Sequence, residues 1–589
     1  MIRAMASLEA KIERALKQAV VAALGEQHQG ADPMLRPAQN PRFGDYQANL
    51  AMSLGKQLGQ KPRDLAQKIA EQLPTGELFE KWEVAGPGFI NLTLTKQALN
   101  TEGREMLGDP QLALPRASAS ETVVVDYSSP NVAKEMHVGH LRSTVIGDSI
   151  VRVLEAVGHQ VIRQNHLGDW GTQFGMLIEN LLDQGDDLST LTDLTPIYQA
   201  AKQRFDTDPD FQERAKRRVV ALQSGDEQTI AMWKQLVAAT VRYLDGMYTR
   251  MGVKLTPQDI CGESFYNAAL PGVVERLATE GQLVEDAGAQ CIFPKGYKNK
   301  DGDPLPMIVQ KADGGYLYAT TDLAAVLHRT QTLKATRLIY VVGLPQRTHF
   351  EMLTQVVTDL GWIGPGVRMQ YVGFGSVLGA DRKMLKTRSG ESVKLVSLLD
   401  EAEQRASAVV RAKNAEKAEG ARLSEDEVLA TGRAIGIGAL KYADLSSDRI
   451  KDYQFDWDRM LAFDGNTAPY LVNAYVRIQS IFRKANIQAA TLDSAALSVE
   501  ADAERALLLQ LVRYGSAVVS VADSLEPHRL CGYLYDVASA FHGFYEHCPV
   551  LKSDVPEAAR ASRLVLCELT ARVLRDGLGL LGIRTVEQM

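Results

Sequence analysis

The chain has 589 residues, 45% of them hydrophobic and 23% charged, with a formal net charge of -7. That balance excludes a disordered, collagen-like or membrane-embedded protein, and the length allows roughly four domains, or fewer if one is large. An acidic chain is a poor nonspecific DNA coat, although a local basic face on it can still bind nucleic acid.

The first 25 residues place Leu8, Ile12, Leu16, Val20 and Leu24 at steps of four, one face of an amphipathic helix. Glu9, Lys11, Glu13, Arg14 and Lys17 interrupt that stretch, so it is not a signal-peptide core, and no other stretch reads as a membrane span. A second helical stretch is expected near 61–73. In "EVAGPGFINLTLT" (83–95) the Gly-Pro-Gly turn precedes an alternating strand. Together these predict an N-terminal α+β domain over 1–112, closed by a Pro- and Ser-containing linker in 107–121.

Next, "TVVVDYSS" (122–129) is the kind of β-branched apolar run found in buried parallel strands. A helix, "HLRSTVIGDSIVRVLEAVG", and another strand with its loop, "HQVIRQNHLGDWG", follow it. Further strands are expected at 337–342 and 370–378. Strands alternating with helices predict a multidomain α/β protein, whose doubly wound parallel, Rossmann-like sheet spans 113–461 with a charged helical insertion at about 176–250. Beyond 462 the strand signals vanish, and runs such as 504–525 and 557–582 predict a C-terminal α-helical bundle over 462–589. The five cysteines, Cys261, Cys291, Cys531, Cys548 and Cys567, form no CxxC pair. Neither a disulfide framework nor a structural metal is expected, and a reducing, cytoplasmic setting is.

At the corner between the first strand and its helix stands "SSPNVAKEMHVGHLRST" (128–144). In a doubly wound sheet ligands bind beyond the carboxyl ends of strands, where helix N-termini favour anions. His137 and His140, three residues apart, share one side of the first turn, and Gly139 removes a side chain where a flat ring could approach. A nucleotide suits this arrangement. The same pair also fits an ordinary helix start, or two ligands of a metal for which no third is evident. No P-loop occurs, and "GFGSVLG" (373–379) is one residue off the dinucleotide fingerprint. A second element, "LGADRKMLKTRSGESVKL" (378–395), carries Lys383, Lys386 and Arg388 between Gly379 and Gly390. Such a loop could close over a polyphosphate or lie solvated on the surface.

"HVGH" resembles the HIGH signature of class I aminoacyl-tRNA synthetases, and "KMLKT" resembles their KMSKS signature with both lysines in register. "GDWGTQFG" (168–175), "DGGYLYATTDLAA" (313–325), "KYADLSSDR" (441–449) and "FDGNTAPY" (463–470) narrow the likeness to arginyl-tRNA synthetases of the bacterial type. "FGDYQANLAM" (43–52) and the final "GIRTVEQM" carry it to both ends of the chain.

That resemblance implies an arginine–tRNA ligase. It forms arginyl-adenylate from L-arginine and ATP, with Mg2+ accompanying the nucleotide, and passes the arginyl group to tRNA(Arg). By the resemblance His137, His140, Lys383, Lys386 and Lys134 are catalytic. Gly139 and Arg388 join the histidines and the two loop lysines at ATP. Asp126, Asn131, Tyr318, Asp322 and Gln346 bind arginine. The N-terminal domain contacts the tRNA corner, with Phe89 and Asn91 as candidates, and the C-terminal bundle takes the anticodon. Leu385 and Thr387 stand where the usual signature has serines. The expected partners are tRNA(Arg), arginine and ATP, without DNA or membrane, and the chain is expected to act as a monomer. Two other readings are a small HxGH nucleotidyltransferase, which lacks a terminal bundle, and a non-enzymatic tRNA-binding paralogue, which would be expected to have lost a histidine or lysine of the site.

Overall fold

In the computed structural model of the chain, residues 7–38, 40–171, 173–185, 195–386 and 392–589 are described. The expected N-terminal helix is α1 (Leu8–Leu24), started by Ser7 Oγ accepting the Ala10 N–H, with Leu8, Ile12, Leu16 and Val20 buried. It packs against α3 (Pro62–Ala70), which with α2 (Leu50–Leu58) lies on a four-stranded antiparallel sheet. The strands are β1 (Leu35–Pro37), β2 (Tyr46–Ala48), β3 (Phe79–Ala85) and β4 (Phe89–Leu94), in the order β1-β2-β4-β3. Gly88 closes the β3–β4 hairpin at φ 136°, where a Cβ would fall 2.8 Å from the Pro62 backbone, so only glycine fits the turn. Helix α4 (Lys96–Gly108), N-capped by Thr95, leads out of this domain.

The second sheet is parallel throughout. Its strands β5 (Thr122–Asp126), β6 (Gln160–Gln164), β10 (Arg337–Gly343) and β11 (Arg368–Phe374) lie in the order β11-β10-β5-β6. Val123, Val124 and Val125 are fully buried, as strands covered on both faces require. Helix α5 (Val138–Ala156) crosses from β5 to β6. The strand order reverses between β5 and β10, so the crevice for a ligand opens beyond Asp126 and Gly343.

Between β6 and β10 come the helical insertion and a smaller unit. The insertion is α6 (Gln173–Gln184), α7 (Thr195–Thr207), α8 (Pro209–Ser224) and α9 (Glu227–Met251). After it α10 (Leu270–Thr279) leads to a three-stranded antiparallel sheet of β7 (Val284–Asp286), β8 (Ala289–Ile292) and β9 (Met307–Gln310), then to α11 (Tyr318–Leu327). The sequence reading had no counterpart for this sheet. Helix α12 (Arg347–Asp359) joins β10 to β11. The strand expected at 370–378 divides into β11 and the two-residue β12 (Val377–Leu378), which pairs with β13 (Tyr453–Gln454).

Two long helices, α13 (Leu395–Ala415) and α14 (Glu425–Leu445), and the short α15 (Trp457–Met460) precede the bundle. The bundle comprises α16 (Ala468–Ala485), α17 (Asp502–Leu511), α18 (Tyr514–Ser524), α19 (His528–His547) and α20 (Glu557–Leu580). Among the described residues one stretch, Asp502–Ser524, is long and apolar enough to cross a membrane. It is divided between α17 and α18, and its apolar residues Leu507, Leu508, Leu511 and Val518 are buried in the bundle. All five cysteines are buried and unpaired.

Candidate active site

Beyond β5 the chain takes three left-handed turns at residues with a Cβ: Ser128 (φ 72°), Ser129 (φ 46°) and Ala133 (φ 61°). Each costs about 1–3 kcal/mol and persists only where the surroundings hold it. Here they do. Ser128 N–H donates to Ser143 Oγ at 2.9 Å, Ser129 N–H to Asn165 Oδ1 at 2.9 Å, and Ala133 N–H to Thr240 Oγ1 at 3.1 Å.

This loop delivers the histidines to the start of α5. His137 is the N-cap, and its Nδ1 accepts the Gly139 N–H at 3.1 Å. His140 Nδ1 accepts the His137 N–H at 3.1 Å, and the rings lie 4.0 Å apart. With each Nδ1 used as an acceptor, the hydrogen of each neutral ring sits on Nε2. Burial lowers the His137 pKa, with Lys134 adding to the effect. Burial, then His137 and Lys134, bring His140 down to about 3. The pair is therefore two neutral N–H donors at neutral pH, not two cations. Gly139 differs from expectation: the space a Cβ would occupy is 2.9 Å from His137 Cε1, so the histidine ring, folded back to cap the helix, fills it. Lys134 is exposed, with its ammonium 5.2 Å from the Tyr198 ring centre.

The lysine loop reaches the same corner. Leu378 bridges Met384, and Lys386 bridges Ser392. The returning leg then pairs with the histidine segment: Val138 N–H donates to Val393 O at 3.0 Å, and Leu395 N–H to Met136 O at 2.8 Å. Lys394 also forms a 2.6 Å ion pair with Glu135. Lys383 and Lys386 are exposed. Arg388 lies outside the described residues.

An acidic slot is built from other elements. Asp322, in α11, sits 2.6 Å from His349 Nε2 of α12, and the Tyr318 ring stands edge-on to the same imidazole at 4.9 Å. Tyr318 is 63% exposed, so its face is open to a ligand. Gln346 is exposed at the start of α12, three residues before His349. Asn131 is exposed as well, on a segment bridged to Gly168, where a Cβ would strike Asn131 Oδ1.

Asp126 departs from its expected role as an acidic partner for arginine. Its Oδ2 takes Arg329 Nη2 at 2.6 Å, its Oδ1 takes the Ser129 hydroxyl at 2.9 Å, and it is 7% exposed. The fully buried Arg329 needs a carboxylate there and uses this one.

Glu263, which the sequence reading did not single out, is a half-buried acid within electrostatic reach of Asp322. Burial, then Asp169 and Asp322, push it up to about 7. Asp169 is held by the Ser264 N–H at 2.8 Å and hydroxyl at 2.6 Å. No local string marked Glu263; Gly262, just before it, leaves room for Asp169, whose carboxylate a Cβ would strike.

On the N-terminal domain Phe89 is half-buried, whereas Asn91 is 3% exposed with its Oδ1 accepting from Gln47 Nε2 at 2.9 Å. Asn91 is therefore not available to tRNA, because Gln47 lies directly opposite it in the sheet.

Three family models cover the chain. One described as "Arginyl tRNA synthetase N terminal domain" matches residues 6–94, "tRNA synthetases class I (R), catalytic domain" matches 104–457, and "DALR anticodon binding domain" matches 471–589. The arginine–tRNA ligase of Thermobifida fusca is 48% identical over 589 residues, covering 99% of this chain and all of the relative. That of Stutzerimonas stutzeri is 50% identical over 93% of both chains. Among solved structures, arginyl-tRNA synthetase from Plasmodium falciparum superposes with a TM-score of 0.83 at 30% identity over 98% of each chain. The Thermus thermophilus arginyl-tRNA synthetase gives 0.81 at 24% identity, covering 98% of this chain and 100% of that one, a likeness of fold.

Proposed function

The chain belongs to the class I arginyl-tRNA synthetases, and from that premise we propose how its residues share the work of an arginine–tRNA ligase. Its substrates are arginine, ATP and tRNA(Arg). The arginine carboxylate attacks the α-phosphate of ATP, entering as its Mg2+ complex, and pyrophosphate leaves. A hydroxyl of the terminal tRNA ribose then attacks the adenylate carbonyl and AMP leaves. No covalent enzyme intermediate is needed, so positioning and charge stabilisation carry the rate.

In this proposal His137 and His140 donate Nε2–H bonds to the phosphate oxygens where charge develops. Lys383, Lys386 and Arg388 hold the departing pyrophosphate, and Lys134 adds positive charge at the same phosphates. Each such donor is worth about 3 kcal/mol, roughly a hundredfold in rate. What carries the assignment is the antiparallel pairing of 393–395 with 136–138, which joins the lysine leg to the histidine corner at the sheet's switch point.

For arginine, Asp322 and Glu263 supply the carboxylates and Tyr318 an aromatic wall, while Asn131 and Gln346 hold the polar amino-acid end. Asp126 acts indirectly, by anchoring Arg329 and Ser129. Two carboxylates suit a planar fork of five N–H donors, whereas lysine, a point charge, leaves acceptors unpaired. The division into 1–112 for the tRNA corner, 113–461 for catalysis and 462–589 for the anticodon belongs to the same proposal, with Phe89 as the remaining candidate contact in the first. The chain acts as a monomer in the cytoplasm. ATP–pyrophosphate exchange with arginine, run with and without tRNA, tests all of this. Absence of exchange even with tRNA(Arg) present would point instead to a tRNA-binding protein without the activity.

A further inference from the structure

We propose that Tyr248, near the end of α9 in the helical insertion, is a positioning residue for the amino-acid site. This rests on the assignment of Asn131 and Asp322 to arginine. Tyr248 touches none of the reacting groups. Its hydroxyl lies 2.7 Å from Ser128 Oγ and accepts the Asn165 Nδ2–H at 2.9 Å, and the residue is 2% exposed.

Its effect passes through the Asn165 amide. An amide has one donor end and one acceptor end. With Nδ2 directed at Tyr248, Oδ1 is turned toward Ser129, whose N–H it accepts at 2.9 Å. Asn165 is fully buried, so no water can substitute for either contact. Ser129 in turn donates its hydroxyl to Asp126 Oδ1, and its Oγ accepts the His166 N–H at 3.2 Å. Two residues on stands Asn131. The left-handed pair Ser128–Ser129 is thus held from both sides by one phenol hydroxyl: directly at Ser128, and through Asn165 at Ser129. Strained backbone needs such over-determination to keep its shape.

The same helix braces neighbouring turns at other points. Thr240 Oγ1 accepts the Ala133 N–H at 3.1 Å, and Trp233 Nε1 donates to Asp169 O at 2.7 Å. The insertion is therefore a scaffold laid along the strained loop, and Tyr248 is the contact that faces its amino-acid half.

Tyr248→Phe removes the hydroxyl and leaves the ring. In tRNA-dependent ATP–pyrophosphate exchange the arginine KM should rise about tenfold, the effect of losing a buried hydrogen-bond partner, with the ATP KM changed less than about twofold. Ser129→Ala, a milder change one link further on, should raise the arginine KM about threefold. Combined with Tyr248→Phe it should add less than its separate effect, since both act through one loop. Equal rises in both KM values, an unchanged arginine KM, or strict additivity would overturn the proposal. Should Tyr248→Phe fail to fold by circular dichroism, Ser129→Ala alone decides, by whether it shifts the arginine KM without the ATP KM. Asp322→Asn run in parallel separates the two levels. If it raises the arginine KM and Tyr248→Phe does not, the slot assignment stands and the brace falls; if Asp322→Asn has no effect on arginine, the slot assignment itself has failed.

Discussion

His349 Nε2 lies 2.6 Å from Asp322 Oδ2, although the two residues sit on different helices, α12 and α11. The imidazole holds one carboxylate oxygen in place, and in the proposed slot the other is left to meet a guanidinium. His349 also packs edge-on against Tyr318 at 4.9 Å and Phe350 at 5.2 Å, so two neighbouring rings restrict its orientation.

Removing that support should weaken arginine binding without touching ATP. His349→Leu strips a hydrogen bond from a carboxylate, an interaction of about 1.5–3 kcal/mol, or roughly ten- to a hundredfold. Asp322→Asn should cost at least as much. Isothermal titration with arginine, beside a titration with ATP, checks both. Equal losses for the two ligands would remove Asp322 and His349 from the arginine slot.

The proposed pairing of Glu263 with the guanidinium predicts a pH-dependent arginine affinity. Its pKa is pushed up to about 7 by burial, Asp169 and Asp322. Below that pH it holds a proton and offers the guanidinium a neutral acid; above it, a carboxylate. The arginine KM should therefore rise as pH falls through about 7, and Glu263→Gln should flatten the profile at the weak-binding level. The stability sign is opposite. Between 4.5 and about 7 the folded chain keeps a proton that the unfolded chain has released, so Glu263 costs stability as pH rises across that window. Glu263→Gln should be more resistant to urea than the parent protein at pH 8 and nearly equal at pH 4.5. A pH-independent arginine KM in the parent would contradict this role.

These acids also show where a linear reading of the chain stops. The run "TVVVD" announces β5 because three buried branched residues in a row have few other uses, and the steps of four from Leu8 announce α1. The three- and four-residue strands β7, β8 and β9 escape such reasoning, since apolar Val284 and Ile308 are 53% and 36% exposed, so residue type does not mark the buried face. The histidine and lysine motifs were legible as local strings. Asp126 was not, because the residue that claims it, Arg329, comes 203 positions later. Glu263 was hidden for the same reason: its character comes from Asp169 and Asp322, which only folding brings near.

The histidine pair gives a different pH signature. His140→Ala should lower exchange about a hundredfold, the cost of one donor to a developing charge. Because burial holds His140 at about 3, its ring gains no proton between pH 8 and 6.5, and the wild-type rate should show no break there from His140. The stability contribution of His140 has the reverse sense to that of Glu263. Below the ordinary value of 6.5 the unfolded chain binds a proton that folded His140 refuses, so stability falls as pH drops from 6.5 towards about 3. Urea unfolding at pH 7 and pH 5 should show a smaller acid loss for His140→Ala than for the parent. An identical loss would mean that the imidazole is not held neutral.

The string "FGDYQANLAM" has its own physical role, which leads to a prediction about tRNA. Asp45 receives both Arg505 guanidinium nitrogens, at 2.8 and 2.7 Å, and its backbone oxygen takes Arg513 Nη2 at 2.8 Å. Arg513 also stacks over the Tyr46 ring at 4.9 Å. These contacts clamp the N-terminal sheet to α17 and the turn before α18, so the two domains proposed to hold the tRNA corner and the anticodon are kept at one separation. Arg505→Met leaves the 4%-exposed Asp45 without its cation, a loss of about 3–5 kcal/mol for a buried pair. The interface should loosen, with a lower first unfolding transition and a tRNA KM raised about tenfold or more. Arginine and ATP KM values at saturating tRNA should stay within about twofold, because the site residues lie on other elements. A lowered transition with an unchanged tRNA KM would show that the clamp serves stability alone, and that the spacing of the two domains is not what the tRNA reads.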